Sequence, residues 1–170
     1  MIRSALSSLH QNIPTHNTGL AIFLSVIQKL GIDILPVTWN ALKAFNRGGT
    51  ADIHQAVVDI EITFAFKRAS RLLKQKKEAE AFWALISEVI VLGNPVIRDH
   101  PNIINIEGIC FEIDADDVRP VLVFEKAQLG DLEQFLGTTE WNDGLFDMQL
   151  SLCADIACAI MALHQCSMIS

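Results

Sequence analysis

The chain has 170 residues, 51% of them hydrophobic and 19% charged, a composition that supports a packed core and excludes a disordered chain. Thirteen Lys and Arg against twenty Asp and Glu give a formal net charge of −7, so no basic surface invites nucleic acid or an acidic membrane. The four cysteines, Cys110, Cys153, Cys158 and Cys166, form no C-x-x-C pair and lie at no metal-ligand spacing to histidine, so reduced core thiols of a cytoplasmic protein are expected and no metal centre.

Residues 1 to 16 are polar and irregular. Their start, Met1-Ile2-Arg3-Ser4-Ala5-Leu6, lacks the apolar run of a secretory signal, and a single Arg makes a poor presequence. Asn17 or Thr18 is expected to cap an amphipathic helix with Leu20, Phe23, Leu24, Ile27 and Leu30 on one face, closed by Gly31. That helix either packs on a sheet or docks a partner. Gln28, Lys29 and Asp33 interrupt the apolar stretch from Gly19 to Val37, which excludes a transmembrane helix there.

Beyond Trp39 the pattern shortens to strands, expected over 40–46, 52–59 and 62–68, with Asn46-Arg47-Gly48-Gly49-Thr50 as the first turn. A helix follows over 78–92, where Phe82, Leu85, Ile86, Val89 and Leu92 recur at helical spacing and Gly93-Asn94-Pro95 ends it. Strands over 103–113 and 121–126 flank the acidic loop Asp114-Ala115-Asp116-Asp117. Asp131 reads as the N-cap of a short helix, and a last helix over 146–165 gathers Leu150, Cys153, Ala157, Ile160, Met161 and Leu163 on its apolar side. This order is an α+β arrangement: a five-stranded antiparallel sheet with one helix packed on it, then two helices.

Three features carry chemistry. On the strand Ile62–Lys67, alternation puts Ala65 and Lys67 on one face, leaving room for a flat ring and a charge for a phosphate; a lysine ending a strand can equally be just solvated. Glu88 lies at the edge of the stripe set by Leu85 and Leu92, where a carboxylate needs a cation; Lys67 is the natural partner, and an ordinary surface glutamate is the alternative. Gly48 and Gly49, in a turn between strands, let backbone N–H groups approach phosphates, although such a turn is also simply a hairpin.

Taken in order, these parts resemble the protein-kinase family. Asn46-Arg47-Gly48-Gly49-Thr50-Ala51-Asp52-Ile53 is similar to its glycine-rich loop, with Gly48 at the middle glycine, Ile53 at the adenine-covering valine, and Asn46 and Ala51 where the other glycines would stand. Phe64-Ala65-Phe66-Lys67 looks like the V-A-I-K strand, which implies that Ala65 contacts adenine and Lys67 the α- and β-phosphates; Glu88 matches the helix glutamate that pairs with that lysine. His100-Pro101-Asn102-Ile103-Ile104 resembles the family's H-P-N-I segment, and about three extra residues before it imply an enlarged loop after the helix. Val121–Ala127 looks like the hinge: Phe124 would be the gatekeeper, Glu125 and Ala127 would face adenine through their backbones, and Asp131 would lie near the ribose.

The resemblance implies an N-terminal extension over 1–36, a kinase-like lobe and hinge over 37–127, and the start of a second lobe over 128–170. It implies ATP as ligand, with Lys67 and Glu88 as the catalytic pair. By the same alignment Ser170 falls at the histidine of H-R-D, so the catalytic loop and the D-F-G magnesium ligands would lie beyond it. Two functions are open: an ATP-dependent phosphotransferase acting on protein Ser, Thr or Tyr, cut short before its catalytic loop, or a catalytically dead, kinase-derived module acting by protein contact. In either, the apolar side of the last helix is expected to need a covering protein partner.

Overall fold

The computed structural model describes residues 16–37, 46–47, 51–57, 63–69, 75–114, 117–138 and 143–166. Helix α1 (His16–Leu30) comes first, then strands β1 (Asn46–Arg47), β2 (Ala51–Val57) and β3 (Thr63–Ala69). Helices α2 (Gln75–Leu92) and α3 (Pro95–Arg98) lead to β4 (Ile106–Asp114) and β5 (Asp117–Glu125), and α4 (Leu132–Thr138) and α5 (Asp143–Gln165) complete the order. The fold is α+β, as expected. The strands lie in the order β1-β2-β3-β5-β4 with antiparallel neighbours. Residues 40–45 of the first expected strand, and Gly48 and Gly49 in its turn, lie outside the described residues.

Alternation along β3, β5 and β4 divides the core in two. Ala65, Leu122, Phe124, Ile106 and Ile109 join Leu85, Ile86, Val89 and Leu92 of α2 in the larger cluster, whereas Phe66, Val121, Val123 and Cys110 form a smaller one on the other face. Burying side chains such as Phe66, Ile86 and Leu122 contributes roughly 1.5–3 kcal/mol each.

Several boundaries differ from the sequence reading. α1 begins at His16, so Asn17 and Thr18 lie inside its first turn rather than at its cap. It packs along α2: Phe23 is fully buried in the larger cluster that α2 shares with the sheet, its ring centroid 6.1 Å from that of Phe82. After α1, Leu35 N–H donates to the Ile109 carbonyl (2.7 Å) and Ile109 N–H donates to the Asp33 carbonyl (2.9 Å), which lays residues 33–35 along β4. Gly108 admits that approach, because a Cβ there would meet Leu35 Cγ at 2.7 Å and the Asp33 oxygen at 2.8 Å.

The extra residues after α2 do not make an open loop. They form α3, with Asn94 as N-cap accepting from Val96 N–H at 3.0 Å and Pro95 in the first turn. The loop from Asp114 to Asp117 is shorter than expected, since β4 and β5 pair out to Asp114 opposite Asp117. The cysteines are not all core residues: Cys110 is buried, but Cys153 and Cys158 are exposed on α5. By length and composition alone, Phe146–Gln165 of α5, at a mean hydropathy of 1.5, could cross a membrane, although Asp147 and Asp155 lie along it.

Candidate functional site

β3 sits between β2 and β5, so its two faces look onto opposite layers. On the α2 side, Ala65 is the register partner of Phe124, and Lys67 that of Leu122 on β5 and Ile53 on β2. The Phe124 side chain is buried in the larger cluster. A small residue followed by a lysine therefore lies beside a large, buried aromatic ring.

Glu88 reaches the same place from α2. Val89 and Leu85 are buried, which leaves Glu88 at the margin of the helix's apolar stripe. Lys67 Nζ donates to Glu88 Oε1 at 2.8 Å, and Oε2 is also 2.8 Å away. The two side chains are 30% and 27% exposed, so water screens the pair only in part while the ammonium stays open from one side. A charge-assisted contact of this kind stabilises by about 1.5–3 kcal/mol. An ammonium has three donors and a carboxylate clasp takes at most two, leaving one for an anionic ligand.

The chain leaving β5 supplies the next positions. Glu125 and Ala127 are exposed, and Ala127 accepts from Gly130 N–H at 3.4 Å in the turn that follows. Asp131 caps α4, its Oδ1 accepting from Gln134 N–H at 2.8 Å, so one carboxylate oxygen is engaged in the cap and the side chain is otherwise exposed. Asn46 and Ile53 are register partners across β1 and β2. The geometry thus brings Ala65, Lys67, Glu88 and Phe124 together around β3, whereas Asp131 belongs to a helix cap further along the chain.

The H-P-N-I segment acts as a brace. Asn102 Nδ2 donates to the Asp155 carbonyl (3.2 Å) and to Asp155 Oδ1 (3.0 Å), tying the loop before β4 to α5. His100 Nδ1 accepts from Asn102 N–H at 3.2 Å and fixes the turn.

A buried charged pair on the opposite face escaped the sequence reading. Arg68 faces away from the lysine side and meets Glu112 on β4, with Nη1 at 3.3 Å from Oε1 and 3.1 Å from Oε2. Their side chains are only 11% and 7% exposed. Parity could have found it: Phe64, Phe66 and Arg68 share one face, and Glu112 follows Cys110 on the matching face of β4. Nearby, burial and then the Glu112 charge push the Cys110 thiol up from its ordinary 9.0 to about 11.

A family model described as protein tyrosine and serine/threonine kinase matches residues 33–170. The match includes β1 to β5, α2 to α5 and both members of the Lys67–Glu88 pair, and it begins after α1. Comparison with curated proteins gives no match.

Proposed function

Because the chain belongs to the protein tyrosine and serine/threonine kinase family, we propose that residues 37–127 form an ATP-binding lobe in which Lys67 holds the α- and β-phosphates and Glu88 holds Lys67. The observation that carries this reading is the 2.8 Å Lys67–Glu88 contact on the face that also holds Ala65. The ring would lie against Ala65 and Ile53, its outer limit set by Phe124, and its edge would bond the Glu125 and Ala127 backbones. Gly48 and Gly49 would cover the phosphates, and Asp131 would approach the ribose with the carboxylate oxygen that its cap leaves over.

The chemistry of the donor set fits a nucleotide. A lysine fixed by a carboxylate is held extended, so its positive charge is in place before the phosphates arrive and little side-chain entropy is lost on binding. When bound, the nucleotide supplies the transferable phosphoryl group and a magnesium ion offsets its charge. Among the described residues there is no cluster of three His, Cys, Asp or Glu side chains that could hold a metal. The 170 residues contain neither H-R-D nor D-F-G, and the part they play in this proposal is the nucleotide cradle. Lys67→Met should lower ATP affinity by about 1.5–3 kcal/mol, roughly ten- to 150-fold. Equal calorimetric affinity for ATP in wild type and in a folded Lys67→Met would overturn the assignment.

A second reading, a kinase-derived module that works by protein contact, is favoured by the surface of α5. Phe146, Leu150, Ile156, Ile160 and Met161 are exposed there, more contiguous apolar area than a solvated helix tolerates. The family match includes α5, which supports a lobe helix over a membrane span. Unpaired thiols, two of them exposed, support a reducing compartment, the cytoplasm. Strong binding of an apolar dye by a chain with no measurable ATP affinity would favour the second reading over the first.

A further inference from the structure

The kinase match begins at Asp33, so α1 is an addition placed before the matched region, and its packing is specific. It lies along α2, the helix that carries Glu88. Phe23 is fully buried and Ile27 nearly so, in one cluster with Leu85, Ile86 and Val89 of α2 and Leu122 and Phe124 of β5. The ring of Phe23 meets that of Phe82 at a centroid distance of 6.1 Å, tilted by 51°.

This contact is tied down at the C-terminal end of α1. At the far end of α2, Gly93 lets α1 and its exit close in: a Cβ there would stand 2.9 Å from Leu30 Cδ1 and 3.1 Å from Ile32 Cδ1. Beyond Ile32, the two backbone bonds between residues 33–35 and Ile109 fix the exit to β4. α1 is therefore joined to the sheet at one end and packed along α2, and it limits how far α2 can move from the sheet. Glu88 neighbours Val89 on α2, and its carboxylate needs α2 in this position to reach Lys67 at 2.8 Å.

We infer that Phe23 is a positioning residue for the nucleotide site: α1 seats α2 through the Phe23–Phe82 contact, and so keeps Glu88 against Lys67. This rests on the proposal that Lys67 holds nucleotide phosphates. The function of α1 is then to supply within the chain the pressure on α2 that keeps the pair closed, so nucleotide affinity depends on a residue that does not touch the nucleotide.

A double-mutant cycle on residues 1–170, titrated with trinitrophenyl-ATP by fluorescence, tests it. Phe23→Ala lowers the fraction of molecules with the pair closed, and affinity falls in proportion, about three- to tenfold. Glu88→Gln weakens binding at least as much. In the Glu88→Gln background, Phe23→Ala changes affinity by less than about twofold, because the group it acts through is gone. An equal fold-loss in both backgrounds overturns the inference, since a general loosening of the core would not depend on Glu88. If Phe23→Ala lacks a cooperative melt, Phe23→Leu, which keeps the core filled and removes only the ring, carries the same cycle with a smaller loss and the same criterion. Lys67→Met in the same assay separates the two ideas. Weaker binding with Lys67→Met and an additive cycle remove only the role of Phe23, whereas unchanged binding with Lys67→Met removes the nucleotide reading and this inference together.

Discussion

Truncating Glu112 should be the most damaging single change on the face of the sheet opposite the lysine. Glu112→Ala leaves the Arg68 guanidinium between β3 and β4 without the carboxylate it meets at 3.1 and 3.3 Å. The two side chains are only 11% and 7% exposed, so water cannot replace the lost partner. Breaking a buried pair from one side costs about 3–5 kcal/mol when the remaining charge has no other partner; Arg68 keeps a further interaction, so the lower end is expected, still a large part of the roughly 5–15 kcal/mol that a domain has in total. For a chain of this length the melting temperature should fall by about 6–20 °C. Arg68→Met/Glu112→Leu removes both charges and should recover most of the loss, because a buried pair and an apolar replacement of similar volume are close in free energy. Thermal melts followed by circular dichroism compare the three proteins. A Glu112→Ala protein within about 1 kcal/mol of wild type, or a double variant no better than the single one, would refute this account of the pair.

Two other changes follow from the same geometry. Phe124→Gly, by removing the buried ring beside Ala65, should let the protein bind a purine nucleotide enlarged at the ring, which wild type rejects; a folded variant with no such gain would mean that β5 does not border the adenine. With its pKa raised to about 11, Cys110 stays a protonated, buried thiol at pH 8, so thiol reagents should modify the exposed Cys153 and Cys158 first and Cys110 only on unfolding. The sign for stability follows: an unfolded Cys110 ionises near 9.0 and the folded one near 11, so its contribution is intact below pH 9 and is lost as pH rises through that window, and Cys110→Ala should lessen the decline.

The lysine side of the sheet was legible because it obeys simple periods. Alternation along β3 put Ala65 and Lys67 on one face, and helical spacing put Glu88 at the edge of the α2 stripe, so the two charges had to be near each other once α2 packed on the sheet. Packing partners were less legible. The stripe of Phe23 and Ile27 requires that α1 bury one side, but an amphipathic pattern does not say against what, and the surface that received it belonged to α2. Gly93-Asn94-Pro95 was ambiguous in a similar way: the same residues that stop α2 also cap and start α3, since Asn94 accepts from Val96 N–H. The polar start of β5 hid a strand because Asp117 and Arg119, which pair with each other, satisfy their charges locally while the backbone pairs with β4. Cys153 and Cys158 read as core thiols because their spacing offers neither a C-x-x-C pair nor a metal site, and helical spacing put Cys153 on the apolar side, yet both are exposed on α5.

The central claim is that Lys67 meets nucleotide phosphates, and a reactive acyl phosphate of ATP tests it most directly, because its mixed anhydride acylates an amine lying beside the phosphates. After brief exposure of residues 1–170 to this probe, peptide mass spectrometry should find the acyl group on Lys67, and excess ATP should suppress it. Glu88→Gln should lower the yield at a fixed probe concentration, as the lysine is no longer held in place. Acylation spread over surface lysines with none on Lys67, or acylation of Lys67 that ATP does not suppress, would contradict the account.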